Sequence, residues 1–312
     1  MRFAIYGSGG LGGYYGVRLA QAGHEVGFIA RGAHLEAIRA KGLKVLSPLG
    51  DAHLPSPTAS SDPADIGAVD VVIVAVKTWQ VPEVARAMRP LLGPKTVVVP
   101  FLNGVDAPDD LAAVLGAAQV VGGLSKVFSM IEAPGVIRHS NPGAYVEIGE
   151  LGGGASARIE ALREAFAGAG VDAKSSTDIR TALWKKLLTV SSWAGLGALS
   201  RSPIGVIRQL PETRALVERA VDEGIAVGRK LGYALEEGYK AELWAFYDKL
   251  PAESTASMQR DIMAGKPSEL DAWNGAIVRF GVQTGIDTPV HTFTYHALLP
   301  MERRARNAAP AA

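Results

Sequence analysis

Cysteine is absent from the 312 residues, which excludes a disulfide framework and thiolate chemistry. Charge of one sign is also lacking. Lys and Arg number 32 against 31 Asp and Glu, a net charge of +1, and no basic block interrupts the chain, so nucleic acid is not an expected partner. Long apolar runs are missing too. Stretches such as "VVIVAV" (71–76) and "TVVVPFL" (96–102) are far too short to span a bilayer and suit buried parallel strands. The sequence opens "MRFAIYG", straight into a strand, where a signal peptide would place a longer apolar stretch and a cleavage site. The expectation is a soluble, cytoplasmic protein with no membrane partner and no metal. What is present is globular: 48% hydrophobic and 20% charged residues, and a length that suits one large or two ordinary domains.

The first half alternates β-rich runs with helical patterns. Strands are expected at 2–6, 25–30, 69–76 and 96–101, with helices at 9–23 and 81–91. Such alternation implies right-handed βαβ crossovers and a parallel sheet. Strands at 119–128, 135–140 and 144–150 follow closely, separated by Gly and Pro turns, and read as an antiparallel or mixed extension of that sheet. A helix at 156–168 comes next. From residue 176 only helical periodicity remains, at 214–232, 235–250 and 268–285. The expected fold is therefore α/β, an N-terminal Rossmann dinucleotide-binding domain (1–175) followed by an all-helical C-terminal domain (176–312). The last residues, "RRARNAAPAA", read as frayed.

"GSGGLG" (7–12) follows the first strand and opens the first helix, the context in which G-x-G-x-x-G carries meaning. Gly7 permits the tight turn, Gly9 lets a pyrophosphate approach the backbone, and Gly12 allows close helix–strand packing. Ser8, Gly10 and Leu11 complete the loop, whose helix N-terminus faces the phosphates. The second strand ends "FIARG". Arg31 stands where an acidic residue would accept the 2′-hydroxyl of NAD, and a guanidinium suits a 2′-phosphate. NADP(H) is thus the expected cofactor, the alternative being that Arg31 is merely solvated. "VKTWQ" (76–80) and "LNGVD" (102–106) follow the next two strands, at the carboxyl edge where open α/β sheets bind ligands. Lys77 is placed to meet a phosphate and Asn103 to offer a donor and an acceptor near the nicotinamide. A surface lysine and an Asn-Gly turn are equally consistent readings.

In "LWKKLLTVSSWAGL" (183–196) two lysines sit in an apolar stretch. A helical projection centres the apolar arc on Leu183, Trp184, Leu187 and Leu188. Lys185 falls opposite, with Thr189 and Ser192, and reads as solvated. Lys186 falls at the edge of the arc beside Val190 and Trp193. It either snorkels, its stem covering Trp193, or is held against apolar surface, where burial eases release of its proton. Further on, "SELD" (268–271) fits a capping box with Ser268 at the N-cap and Asp271 three residues on. Glu269 then lies in the first turn, on one face with Trp273, Ala276 and Phe280. It serves the helix dipole or, as a carboxylate on an apolar face, meets a partner or ligand. Ser257, in "SMQRD", is uninformative alone.

Taken in order, the 7–12 loop, Arg31, "KTWQ", "NG" (103–104), "LWKKLL" and "SMQRDI…GKPSELDAWNG" resemble the ketopantoate reductase (2-dehydropantoate 2-reductase) family from residue 1 to about residue 300. The resemblance implies NADPH-dependent reduction of 2-dehydropantoate, a 2-oxo acid, in pantothenate biosynthesis, and a homodimer through the helical domain. It implies that Lys186 is the general acid and also contacts substrate. It implies that Glu269 orients the reacting groups, that Ser257 binds the substrate carboxylate, and that Asn103 contacts both cofactor and substrate. The family usually has asparagines four and eight residues after the lysine; here those positions are Val190 and Ala194. This departure favours a second reading, a related reductase of a less polar 2-oxo acid. A third, a non-catalytic NADP-binding regulator, is opposed by the presence of both Lys186 and Glu269.

Overall fold

The first elements follow from local sequence. In the computed structural model, which describes residues 1–141 and 143–308, β1 (Arg2–Tyr6) leads through the glycine turn into α1 (Gly10–Gln21) and then β2 (Glu25–Ile29) and α2 (Gly32–Lys41). Three short strands follow: β3 (Leu43–Leu46), β4 (Ala52–Leu54) and β5 (Thr58–Ser60). Next come β6 (Val69–Val74), α3 (Val81–Ala87), β7 (Leu92–Pro100) and α4 (Ala107–Leu115). β8 (Gly122–Lys126), β9 (Ser129–Ala133), β10 (Val136–His139), β11 (Tyr145–Gly149), α5 (Ala157–Gly168) and β12 (Asp172–Ser176) complete the α/β part.

The main sheet is parallel in the order β5-β2-β1-β6-β7. Both of its faces are covered, and the alternation along each strand shows why. Phe3 and Ile5 of β1, with Val71 and Ile73 of β6, enter one core, while Ala4, Tyr6, Val72 and Val74 enter the other. Residues of period two that are apolar on both faces can be satisfied only by a sheet with layers on each side. The later strands do not simply extend this sheet. β9 and β10 join β3 and β4 in a separate four-stranded sheet, and β8, β11 and β12 form a third. One parallel bridge, Val98 to Val120, links β7 to the segment before β8.

The chain divides into two compact units, Met1–Leu102 with Ala107–Ala182, and Asn103–Asp106 with Leu183 onward. α6 (Ile179–Ser200) therefore starts in the first unit and runs into the second, rather than following a change at 175/176. The second unit adds α7 (Ile204–Gln209), α8 (Pro211–Lys230), α9 (Tyr239–Lys249) and α10 (Ser257–Met263). A π-helical turn at Asp271–Gly275 leads into α11 (Ala276–Thr284), and α12 (Pro289–Ala308) follows. The fraying expected from residue 303 does not occur as far as Ala308. α12 continues because Glu302 and Ala305 are buried, and Arg306 pairs with Glu302 at 2.7 Å while donating to the Ser268 carbonyl. Residues 309–312 lie outside the described residues.

Close approach of α6 and α8 organises the helical unit. Trp184 is fully buried and its indole N–H donates to the Gly224 carbonyl at 3.0 Å. A Cβ at Gly224 would come within 2.2 Å of Leu188, and one at Gly228 within 2.3 Å of Trp184. Only glycine at both positions lets the two backbones lie this near.

His291 of α12 is buried against α8. Its Nε2–H donates to the Ala220 carbonyl at 3.0 Å, so Nδ1 accepts from the Asn274 amide, also at 3.0 Å. Burial pushes the imidazole down to about 4 from an ordinary 6.5. The unfolded chain therefore binds a proton below about pH 6.5 that the folded chain refuses until about pH 4, and stability falls as pH drops through that window, by about 3 kcal/mol at most. Glu223, held above the usual carboxylate range by burial and accepting from the Val290 and His291 N–H groups, opposes this. Denaturant midpoints measured from pH 7.5 to 4.5 should decline, flatten for His291→Gln and steepen for Glu223→Gln. An unchanged slope in His291→Gln would exclude the histidine as the cause.

Candidate active site

The glycine loop is shaped by contact on one side and openness on the other. A Cβ at Gly12 would sit 2.1 Å from the Gly7 carbonyl oxygen, and one at Gly7, where φ is +99°, would sit 2.6 Å from the Ala75 oxygen. Both glycines are needed for β1, α1 and β6 to meet this closely. A Cβ at Gly9 would meet nothing within 4 Å. Gly9 is the N-cap of α1, which has no side-chain cap and no acidic residue in its first turn. A pyrophosphate fits this turn: backbone donors are uncapped, the dipole favours an anion, and the approach over Gly9 is open. Ser8 holds the loop instead of pointing out of it, its hydroxyl donating to the Ile29 carbonyl at 2.9 Å. His34 reaches the Ser8 carbonyl at 2.8 Å. Gly10 and Leu11 open α1, and Gly10 lies against the backbone of Ser129 and Met130 in β9.

Arg31 caps β2 in extended conformation at the start of α2. Its Nη2 donates to Glu83 at 3.0 Å, and both side chains are about half exposed. Lys77 lies at the mouth of the turn after β6; its N–H donates to the Gln80 side chain at 3.1 Å and its ammonium stands 5.8 Å from the Trp79 ring centroid.

In the second unit the two lysines of α6 divide differently from the projection. Lys185 is not simply solvated. It pairs with Glu236 at 2.6 Å and lies 5.2 Å from the Tyr239 ring centroid. Ser192, expected on the same wet face, is 2% exposed. The reason is that the open side of α6 ends near Val190, and residues 191–198 are buried all round, so the half-wet periodicity that fits Lys185 and Thr189 does not extend to Ser192. Lys186 is half-buried, beside half-buried Val190 and buried Trp193. Ala194 is fully buried, so of the two departures from the asparagine pattern only Val190 reaches the surface of the helix. Ser192 and Trp193 spend their polar atoms on the carbonyls of Leu188 and Thr189. The Ser191 hydroxyl is buried with no hydrogen-bond partner.

Asn103 and Glu269, 166 residues apart in sequence, meet: the asparagine amide donates to Glu269 Oε2 at 3.1 Å. Glu269 is 5% exposed. The expected capping box is not formed. Ser268 gives its N–H and hydroxyl to buried Glu302, with the hydroxyl contact at 2.5 Å, and accepts from the Leu270 N–H. Asp271 turns away to Arg279 and Tyr295. Glu269 thus precedes the π-helical turn instead of lying within a first α-turn. A partner carboxylate from α12, invisible to local spacing, outcompetes Asp271 for Ser268. Ser257 is the first residue of α10, half-buried, and takes no part in the Asn103–Glu269 pair. The start of α10 is anchored by Gln259, fully buried, whose side-chain oxygen accepts from the Ala256 N–H and whose amide donates to the Ser202 carbonyl at 2.9 Å, against Gly197 of α6.

Three positioning residues escaped the sequence reading: Gln259, Asn274 and His291. Asn274 donates to the Ser191 carbonyl at 3.3 Å and to His291, fastening the π-helical turn to α6 and α12. An amide inside "DAWNG", between apolar neighbours, was the available signal.

The family profile described as "Ketopantoate reductase PanE/ApbA" matches residues 3–153, and that described as "Ketopantoate reductase PanE/ApbA C terminal" matches 178–302. The chain belongs to the ketopantoate reductase family. It is similar to a 2-dehydropantoate 2-reductase of Mesorhizobium japonicum, 32% identical, with 97% of each chain covered. It is 30% identical to the uncharacterized oxidoreductase YkpB of Bacillus subtilis, over 95% of this chain and 97% of that one. A PanE/ApbA family ketopantoate reductase from Ralstonia eutropha JMP134 superposes with a TM-score of 0.90 at 32% identity, covering 98% of this chain and 100% of that one. Membership makes the chain an oxidoreductase acting on a CH–OH group, within a family of nicotinamide-dependent 2-oxo acid reductases. Among the described residues no helix is long and apolar enough to cross a membrane.

Because Asn103 and Glu269 bond each other, they should behave as one unit. Asn103→Ala and Glu269→Ala should each lower kcat/KM by about 10–100-fold, and the double variant should be little worse than the poorer single variant. Steady-state kinetics on the four proteins tests this; fully additive losses would mean the two act separately.

Proposed function

We propose that this reductase uses NADPH to reduce the carbonyl of a 2-oxo acid, 2-dehydropantoate first among candidates, with Lys186 as general acid. The observation that carries the reading is the Asn103–Glu269 hydrogen bond, which joins two residues that the family pattern assigns to one reaction. The Gly7–Gly12 turn would hold the pyrophosphate, with Arg31 on the 2′-phosphate and Lys77 on a second phosphate group. When bound, the reduced nicotinamide supplies a hydride to the substrate carbon. Lys186 Nζ then gives its proton to the carbonyl oxygen as charge builds there, and its half-burial strengthens that interaction over one in bulk water. Asn103 and Glu269 orient the reacting groups, and the Ser257 hydroxyl binds the substrate carboxylate. The reading includes a cytoplasmic protein, with Val282 and Phe293 of the helical unit, 82% and 67% exposed, available to a second copy.

Val190 supports the second reading, a 2-oxo acid with a less polar tail. Without an amide at that position, a substrate hydroxyl facing it is unpaired, which costs about 1–3 kcal/mol. Ser191 is the remaining polar group of this turn with an uncommitted side chain.

Replacing Lys186 with Ala should cut kcat by about 10²–10⁴-fold while leaving NADPH binding near normal. The same assay run on 2-dehydropantoate and on its hydroxyl-free analogue separates the two substrates: strong wild-type preference for 2-dehydropantoate supports the first reading, preference for the analogue the second. Arg31→Ala should weaken NADPH binding and hardly change NADH, as titrations of cofactor fluorescence would report. Equal losses for both would remove Arg31 from recognition of the 2′-phosphate.

A further inference from the structure

Arg31 does not stand alone at the end of β2. Glu83, in the first turn of α3, holds its Nη2 at 3.0 Å. Burial holds the phenol of Tyr6, 3% exposed at the end of β1, above its ordinary value, and the same guanidinium is close enough to favour its ionised form. Asp62, which caps the turn after β5, adds a second carboxylate to the surroundings of Tyr6. The guanidinium offers its donors as a planar fork suited to a phosphate, yet part of that fork faces a carboxylate. Four strands, β1, β2, β5 and β6, thus lead a phenol, a cation and two anions to one edge of the parallel sheet, where the adenosine ribose of a dinucleotide would be read.

The chemistry of the two ribose forms differs at this edge. A 2′-phosphate carries nearly two negative charges and competes with Glu83 for the guanidinium: taking Nη2 displaces the carboxylate, and taking the other donors leaves the phosphate beside it. A 2′-hydroxyl needs only an acceptor, and Glu83, held beside Arg31, provides one. We propose that Glu83 is a cofactor-specificity residue: it competes with the 2′-phosphate for Arg31 and accepts the 2′-hydroxyl of the non-phosphorylated cofactor. The preference for NADPH is therefore held below what Arg31 alone would give, and NADH remains usable. This rests on the reading of Arg31 as the 2′-phosphate reader.

The test is a set of fluorescence titrations with NADPH and NADH on wild type, Glu83→Gln, Glu83→Ala, Arg31→Ala and Glu83→Gln/Arg31→Ala. Because the ion pair is exposed, its removal is a modest effect: Glu83→Gln should tighten NADPH binding by about 3–10-fold at low salt, less at about 0.5 M salt. The gain should vanish when Arg31 is also replaced. Glu83→Ala, which lacks any acceptor, should weaken NADH by about 2–5-fold. If Glu83→Gln leaves NADPH binding unchanged or weakens it while Arg31→Ala still weakens it selectively, the carboxylate orients Arg31 and the inference falls, with the Arg31 reading intact. If Arg31→Ala leaves the NADPH-to-NADH ratio unchanged, the reading of Arg31 falls first and the inference with it. Adenosine 2′,5′-bisphosphate and AMP as competitors should repeat the pattern, since they differ only at the 2′ position.

Discussion

The contact on which the helical unit depends is the near-touching of α6 and α8. Two glycines one turn apart, Gly224 and Gly228, leave room for Leu188 and Trp184. The Trp184 indole closes the contact with a hydrogen bond to the Gly224 carbonyl. That bond fixes the rotation of α6 about its axis, and the rotation decides where its lysines go. Lys185 is carried toward Glu236 and Tyr239, while Lys186, one residue on and about 100° around, is carried elsewhere. A side chain of even one carbon at Gly224 would force the helices apart and shift both lysines.

The cofactor half was legible because its determinants are local. Gly7, Gly9 and Gly12 lie within six residues, flanked by a strand and a helix, and the alternation of Phe3, Ala4, Ile5 and Tyr6 announces a sheet buried on both sides. The shortest strands, β3 to β5, were not legible; three or four residues mixed with Pro, Gly and Asp carry no period. β4 pairs with neighbouring β3, but β3 and β5 reach their sheets through β10 and β2, far off in sequence. The helical half was legible in its helices and less so in its faces. Ser192 was placed in water although α6 is enclosed there, and Ser268 was assigned a local cap although its partner is Glu302. The two differences share a cause: a local pattern cannot register partners far off in sequence, which bury α6 beyond Val190 and give Ser268 to Glu302.

Departure from the family pattern is concentrated. The turn, the lysine, the Asn103–Glu269 pair and the serine of α10 are all present, whereas the α6 positions that carry asparagines elsewhere are Val190 and Ala194. Since Ala194 is enclosed, the chemical difference presented by α6 narrows to Val190 and its neighbour Ser191.

Glu302 has a consequence for the order in which the protein is made. The buried carboxylate that fastens Ser268, and through it the segment bearing Glu269, belongs to α12 and leaves the ribosome well after that segment. The glycine turn, by contrast, packs on Ala75 after β6 and on Ser129 and Met130 of β9, all of which are made before α6. A nascent chain can therefore acquire a shaped dinucleotide turn while the carboxylate end of its chemistry is still unfastened. The surroundings of the glycine turn are thus complete along the polypeptide before the segment bearing Glu269 is fastened.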